Sequence, residues 1–187
     1  MASKPILVIS GTNRPGANAL RVRRIIEGLY AKAHEPIDVY GLEELPKELL
    51  DPSAYAQKPA AFVEVQQRIV EAKGLHIVTP EYNGSMPGIL KYFIDMLKFP
   101  ESFQHKPVAF VGEAAGLWGG LRPVEQLQQI FGYRNAFVYP ERVFIPQVNN
   151  RFDASGNFND AAIVEKLEAQ VRGFIRFANA LDGFGEA

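Results

Sequence analysis

The chain has 187 residues and no cysteine, and its 20 Lys and Arg residues nearly balance 21 Asp and Glu, for a formal charge of -1. That length suits one domain over residues 1–187 with its own apolar core, and the missing cysteines exclude disulfides, thiolate nucleophiles and thiolate metal sites. Charge balance gives no overall pull toward nucleic acid or an anionic membrane, so any bound anion has to be held locally.

The opening Met1-Ala2-Ser3-Lys4-Pro5 leads into an apolar run too short and too poorly flanked for a secretory signal. No later stretch reaches the roughly 18 apolar residues of a membrane span. With the cysteine-free composition this sets the expectation of a cytoplasmic protein. Four apolar runs, residues 6–10, 75–79, 108–111 and 136–139, read as strands, and 37–40 as a weaker fifth. Their continuous hydrophobicity is that of strands covered on both faces, hence a parallel sheet between helices. Val22, Ile25, Ile26, Leu29 and Ala33 recur at one-face helical spacing in the first helix. Residues 60–73, 88–97 and 120–131 give three more. Val164, Leu167, Val171, Phe174, Ile175 and Ala178 mark a fifth, with Asp160 as its cap. Residues 41–59, with three prolines, read as a long connection, and 142–159 as an irregular excursion. Five strands alternating with five helices predict an α/β flavodoxin-like sandwich of strand order 2-1-3-4-5, whose ligand crevice lies beyond the carboxyl ends of the strands.

Three loops at that edge carry the candidate chemistry. After the first strand comes Ser10-Gly11-Thr12-Asn13-Arg14-Pro15-Gly16-Ala17-Asn18 and then a helix, so backbone N–H groups and a positive dipole end face the crevice. Thr12, Asn13 and Asn18 offer neutral hydrogen bonds and Arg14 a charged fork. A helix terminus contributes about 0.3 to 1 kcal/mol for an exposed anion, against about 1.5 to 3 kcal/mol for a hydrogen bond to a charged group, so side chains and oriented amides dominate. The Gly-Lys-Ser/Thr ending of a nucleoside-triphosphate loop is missing, and a monophosphate ester suits the loop better.

The second loop, Thr79-Pro80-Glu81-Tyr82-Asn83-Gly84-Ser85-Met86-Pro87-Gly88, combines stiff and permissive backbone with an aromatic, an amide and a hydroxyl, which suits a flat ring with a polar edge. The third, residues 112–120, places four glycines among Glu113, Ala115 and Trp118. Each loop taken alone also reads as a plain strand-to-helix turn. The three histidines are scattered, without metal-ligand spacing, and no metal site or catalytic side chain is expected. Tyr133, Phe137, Tyr139 and Phe144 read as core or interface.

These residues resemble the NADPH-dependent FMN reductases of the flavodoxin-like superfamily, which include quinone, azo-dye and chromate reductases. The second loop with Leu90, Lys91 and Asp95 is similar to the family's T-P-E-Y-N-x-S-x-P-G-x-L-K-x-x-I-D signature, the first to its G-S-x-R-x-x-S-x-N phosphate loop, and the third to G-x-S-x-G-x-x-G-G-x-R. The resemblance implies that Thr12, Asn13, Arg14, Ala17, Asn18 and Ala19 surround the FMN phosphate. It implies further that Pro80, Glu81, Tyr82, Asn83 and Ser85 line the isoalloxazine, with Glu113 and Gly116 completing the cofactor contacts.

It implies a hydride donor, NADPH or NADH, and a small-molecule electron acceptor such as a quinone or free flavin. It also implies assembly as a homodimer or homotetramer. A flavodoxin-type electron carrier and a non-catalytic flavin-binding regulator are the alternatives. Two departures stand out. Ala17 replaces a phosphate-binding serine, and Glu113 places a carboxylate where small or hydroxylated residues are usual, expected beside the flavin edge or the incoming nucleotide.

Overall fold

The computed structural model describes residues 4–184. Its strands are β1 (Ile6–Ser10), β2 (Ile37–Gly41), β3 (Gly74–Pro80), β4 (Pro107–Glu113), β5 (Phe137–Val138) and β6 (Val143–Ile145). Its helices are α1 (Asn18–Lys32), α2 (Ala60–Glu71), α3 (Gly88–Met96), α4 (Leu121–Tyr133) and α5 (Ala161–Ala180). The sheet runs β2-β1-β3-β4-β5, as the sequence predicts, and each neighbouring pair is parallel.

Alternation along the central strands divides the core between the two helical layers. Ile6 and Val8 of β1 join the apolar cluster of α1 and α5, whereas Leu7 and Ile9 join that of α2, α3 and α4. All five β1 residues and all seven of β3 and of β4 are buried, which is why those segments read as unbroken apolar runs. Burying one such side chain contributes about 1.5 to 3 kcal/mol. Asp160 caps α5 as expected, its Oδ1 accepting the Ile163 N–H at 3.0 Å while Oδ2 pairs with Arg151 at 2.7 Å.

Both irregular stretches hold more structure than their sequence suggests. Residues 41–59 form three short 3₁₀ turns that deliver Leu42, Leu49 and Ala54 into the core beside α2 and α3. Within 142–159 lies β6, so the sheet has six strands where five were predicted. β5 and β6 are two halves of one edge strand: β5 pairs with Pro107 and Val108 at the start of β4, and β6 with Val111, Gly112 and Glu113 at its end. The break falls at Pro140, which has no N–H to give a ladder.

Gln170 of α5 closes the gap, its Nε2 donating at 2.9 Å to the carbonyls of both Phe110 and Glu141. The buried ladder group left open by the break is thus satisfied by a side chain. Gln170→Leu leaves both carbonyls without that donor and is expected to cost roughly 2 kcal/mol, read as a lowered urea midpoint. An unchanged midpoint would show that the amide contributes nothing there.

Candidate functional site

The tips of β1, β3 and β4 lie side by side because the parallel register sets Thr79 against Gly112 and Pro80 against Glu113. The Gly11 N–H donates to Val78 O at 2.8 Å, extending the β1 pairing into the first loop. Gly112 admits no side chain, since a Cβ there would lie 2.6 Å from the Gly120 carbonyl oxygen. That close approach folds the third loop back over the end of β4.

In the second loop, Tyr82 and Ser85 exchange backbone hydrogen bonds of 2.9 and 3.1 Å around Asn83 and Gly84, whose φ values are 53° and 74°. Two consecutive positive φ angles define a tight turn for which Asn-Gly is the favoured pair. Two side chains then fix the turn. The Thr12 and Tyr82 hydroxyls are 3.0 Å apart and tie the first loop to the second, and Thr12 Oγ1 also accepts the Arg14 N–H at 3.2 Å. Ser85 Oγ donates to Gln126 Oε1 of α4 at 2.8 Å.

Two adjoining recesses result. The larger, of about 450 Å³, is lined by Arg14, Ala17 and Asn18 from the first loop, Pro80, Glu81 and Tyr82 from the second, and Glu113 from β4. The smaller, of about 220 Å³, is lined by Asn83, Gly84, Gly116, Trp118 and Arg122, and shares Glu81, Ala114 and Ala115 with the first. Nine of the thirteen predicted site residues therefore line one recess or the other. The remaining four, Thr12, Asn13, Ala19 and Ser85, line neither. Thr12 and Ser85 commit their hydroxyls to protein partners, Asn13 is exposed, and Ala19 is buried in the first turn of α1.

The recess also uses residues that sequence reasoning missed. Val148 and Asn149 come from the 3₁₀ turn Val148–Arg151 that follows β6. Asn149 Oδ1 accepts from Asn18 Nδ2 at 2.7 Å. Neither carries a motif, and only the pairing of β6 with β4 brings them to the site.

The electrostatics are uneven. Arg14 is exposed and forms no ion pair among the described residues. Glu81 Oε1 pairs with Arg122 Nη1 at 2.9 Å, while Glu81 Oε2 is buried with no hydrogen-bond partner. Such an orphaned acceptor carries a desolvation cost that a ligand donor would relieve. Glu113, only 4 % exposed, lies by the Ala19 N–H at the start of α1. Burial pushes its pKa up to about 7, against the opposing effect of that N–H.

The histidines stay outside the site. His76 is fully buried under α1, its Nδ1 2.9 Å from the Tyr30 hydroxyl, and burial pushes it down to about 4. His34 and His105 sit in turns with positive φ. No group of three or more His, Asp or Glu residues that could hold a metal ion occurs among the described residues.

Comparison with known proteins agrees with this architecture. An NAD(P)H-dependent FMN reductase of Pseudomonas aeruginosa is 31 % identical over 185 residues, covering 95 % of this chain and 97 % of its own. A quinone reductase of Escherichia coli K12 is 29 % identical over 176 residues, covering 92 % and 94 %. The flavoenzyme FerB, an NAD(P)H:(acceptor) oxidoreductase from Paracoccus denitrificans, superposes with a TM-score of 0.78 over 95 % of this chain and 98 % of its own, and its 21 % identity makes this a likeness of fold. Residues 5–150, which contain all three loops, match the family described as NADPH-dependent FMN reductase, and the chain belongs to that family.

Proposed function

We propose that the paired recesses hold FMN, its phosphate toward the first loop and its ring toward the second and third. The protein would then act as an oxidoreductase taking hydride from NAD(P)H and passing electrons to a quinone, free flavin or similar small acceptor. One observation carries the reading. Arg14, which forms no ion pair among the described residues, and Glu81, whose Oε2 has no partner, line one cavity built from three adjacent strand tips. The residues suit a planar, singly phosphorylated group: a charged fork at one end, N–H groups of α1 beside it, and a polar wall at the other. FMN, when bound, supplies the hydride-accepting and electron-passing chemistry.

The chain's own residues bind and orient. Arg14 offers the phosphate a charge-assisted contact. Thr12 and Tyr82 hold the first two loops at a fixed separation, and Gln126 keeps the Tyr82–Ser85 turn from swinging away. Glu81 offers its free oxygen to a donor on the ring edge, braced by Arg122. Trp118, 61 % exposed, stands at the smaller recess where a second substrate would enter. Family membership sets this reading ahead of an electron carrier or a sensor without turnover.

One domain over residues 1–187 is supported by the single sheet covered on both faces. A homodimer or homotetramer is supported by the exposed Phe99 and Tyr133 flanking Arg134, residue types enriched at subunit contacts. A cytoplasmic location is supported by the cysteine-free composition, and no helix among the described residues is long and apolar enough to cross a membrane.

The purified protein is expected to take up FMN with the absorbance of a bound flavin and to oxidise NADPH when given a quinone. Failure to do either after incubation with FMN would overturn the reading. Arg14→Ala is expected to weaken FMN binding by roughly 2 kcal/mol, about 30-fold in Kd, measured by quenching of flavin fluorescence. An unchanged Kd would remove Arg14 from the phosphate site.

A further inference from the structure

Helix α1 begins without a side-chain acceptor. Its N-cap is Ala17, which has no side chain to offer, and its first turn contains no acidic residue. The N-terminal amides of a helix need partners from elsewhere, and here a carboxylate from another strand lies beside one. Glu113, at the end of β4, lies by the Ala19 N–H, which favours its ionised form, and lines the same recess as Arg14, Ala17 and Asn18. An internal anion thus sits at the helix terminus that an anionic ligand would use.

We propose that Glu113 competes with the cofactor's phosphate for the N-terminus of α1, so that the proton on this carboxylate controls how tightly FMN is held. The inference rests on the placement of the phosphate at the first loop given above. Ionised, Glu113 places a negative charge at the start of α1 and repels a phosphate. Protonated, it carries no charge and has an O–H to donate.

The neighbouring charges leave that role to Glu113. From the second loop, Glu81 is paired with Arg122 of α4. From the turn after β6, Arg151 is paired with Asp160 at the start of α5. From α1, Arg21 reaches Asn18 and covers the Phe152 ring, and Arg23 is held by Glu27 and Glu43. Arg14 of the first loop is the cation of the recess left without an ion pair among the described residues. Its guanidinium is the group of the recess that would serve the phosphate of a bound cofactor.

The sign follows from burial. The folded-state value near 7 lies above the ordinary 4.5. Glu113 therefore keeps its proton until the pH rises through about 7, and its repulsion develops as the pH rises past that point. A phosphate monoester gains its second charge near pH 6, which strengthens its attraction to Arg14 and the α1 amides as well as its repulsion by an ionised Glu113, so the Glu113 variants isolate the carboxylate's part. FMN affinity should fall with rising pH, whereas riboflavin, with the same ring and no phosphate, should respond little.

The test measures Kd for FMN and for riboflavin by flavin fluorescence at about pH 6 and about pH 8, in the wild type, Glu113→Gln and Glu113→Ser. For wild type, FMN binding is expected to weaken about tenfold or more across that interval, one unit of coupling between two charges being a factor of ten. Both variants should show about threefold or less, and riboflavin should change little in all three proteins. Equal pH responses for FMN in wild type and variants, or an equal fall for riboflavin in the wild type, would overturn the role of Glu113. FMN binding that depends on Arg14 but not on Glu113 would overturn this inference alone. No FMN binding at either pH in any of the proteins would overturn the cofactor site as well. Should one variant fail to fold, the other serves, and the wild-type comparison of FMN with riboflavin needs neither.

Discussion

The parallel pairing of β3 with β4 is the constraint on which the site depends, because it fixes the distance at which the second and third loops leave the sheet. With Pro80 opposite Glu113, the Glu81 N–H donates to the Glu113 carbonyl at 3.0 Å, and the main chains of both loops stay locked one residue beyond the last strand position. The same register carries Gly112 under the Gly119–Gly120 backbone, where a single methyl group would collide with main-chain oxygen. Backbone cannot yield as a side chain tip can, so the recess is preformed by the sheet and does not wait for a ligand to shape it.

Preformation puts unusual demands on the polar groups left inside. Glu81 and Glu113 stand at adjacent strand tips with very different solutions. One shares its charge with a half-exposed arginine, an exposed pair of modest strength, and keeps one oxygen without a partner. The other, deeper, finds only a backbone N–H and holds its proton to higher pH. Two carboxylates separated in this way confer two kinds of sensitivity on one cavity, the first to donors on a ring edge and the second to the charge of whatever approaches α1.

What was legible in the sequence follows from how each element satisfies its backbone. Strands covered on both faces read as apolar runs, and the one-face helices as periodic ones, so the strand order emerged from pattern and handedness alone. β6 did not, because Val143–Ile145 is too short to show a period and is followed at once by Pro146. The turns between β2 and α2 hid their contribution because Leu42, Leu49 and Ala54 are spaced by 3₁₀ geometry among prolines.

At the site, the loops were legible through residue types, but type does not say where a hydroxyl is spent. Thr12 and Ser85 look like ligand contacts in sequence, and in the fold their hydroxyls also tie the first loop to the second and the second loop to α4. Asn149 looks like nothing in sequence and reaches the recess through a strand pairing. Glu113 was recognisable as a departure, while its nearness to Ala19 emerges only where the fold brings the start of α1 and the end of β4 to one recess.

The interrupted strand beside β4 bears on how the molecule behaves in company. A continuous exposed edge offers a template onto which another chain can zip. Here the outermost rung consists of a two-residue and a three-residue piece, separated by a proline and stapled from behind by the Gln170 amide. That geometry denies a foreign strand, at this edge, any stretch long enough to nucleate, and leaves β2 as the one continuous edge of the sheet among the described residues.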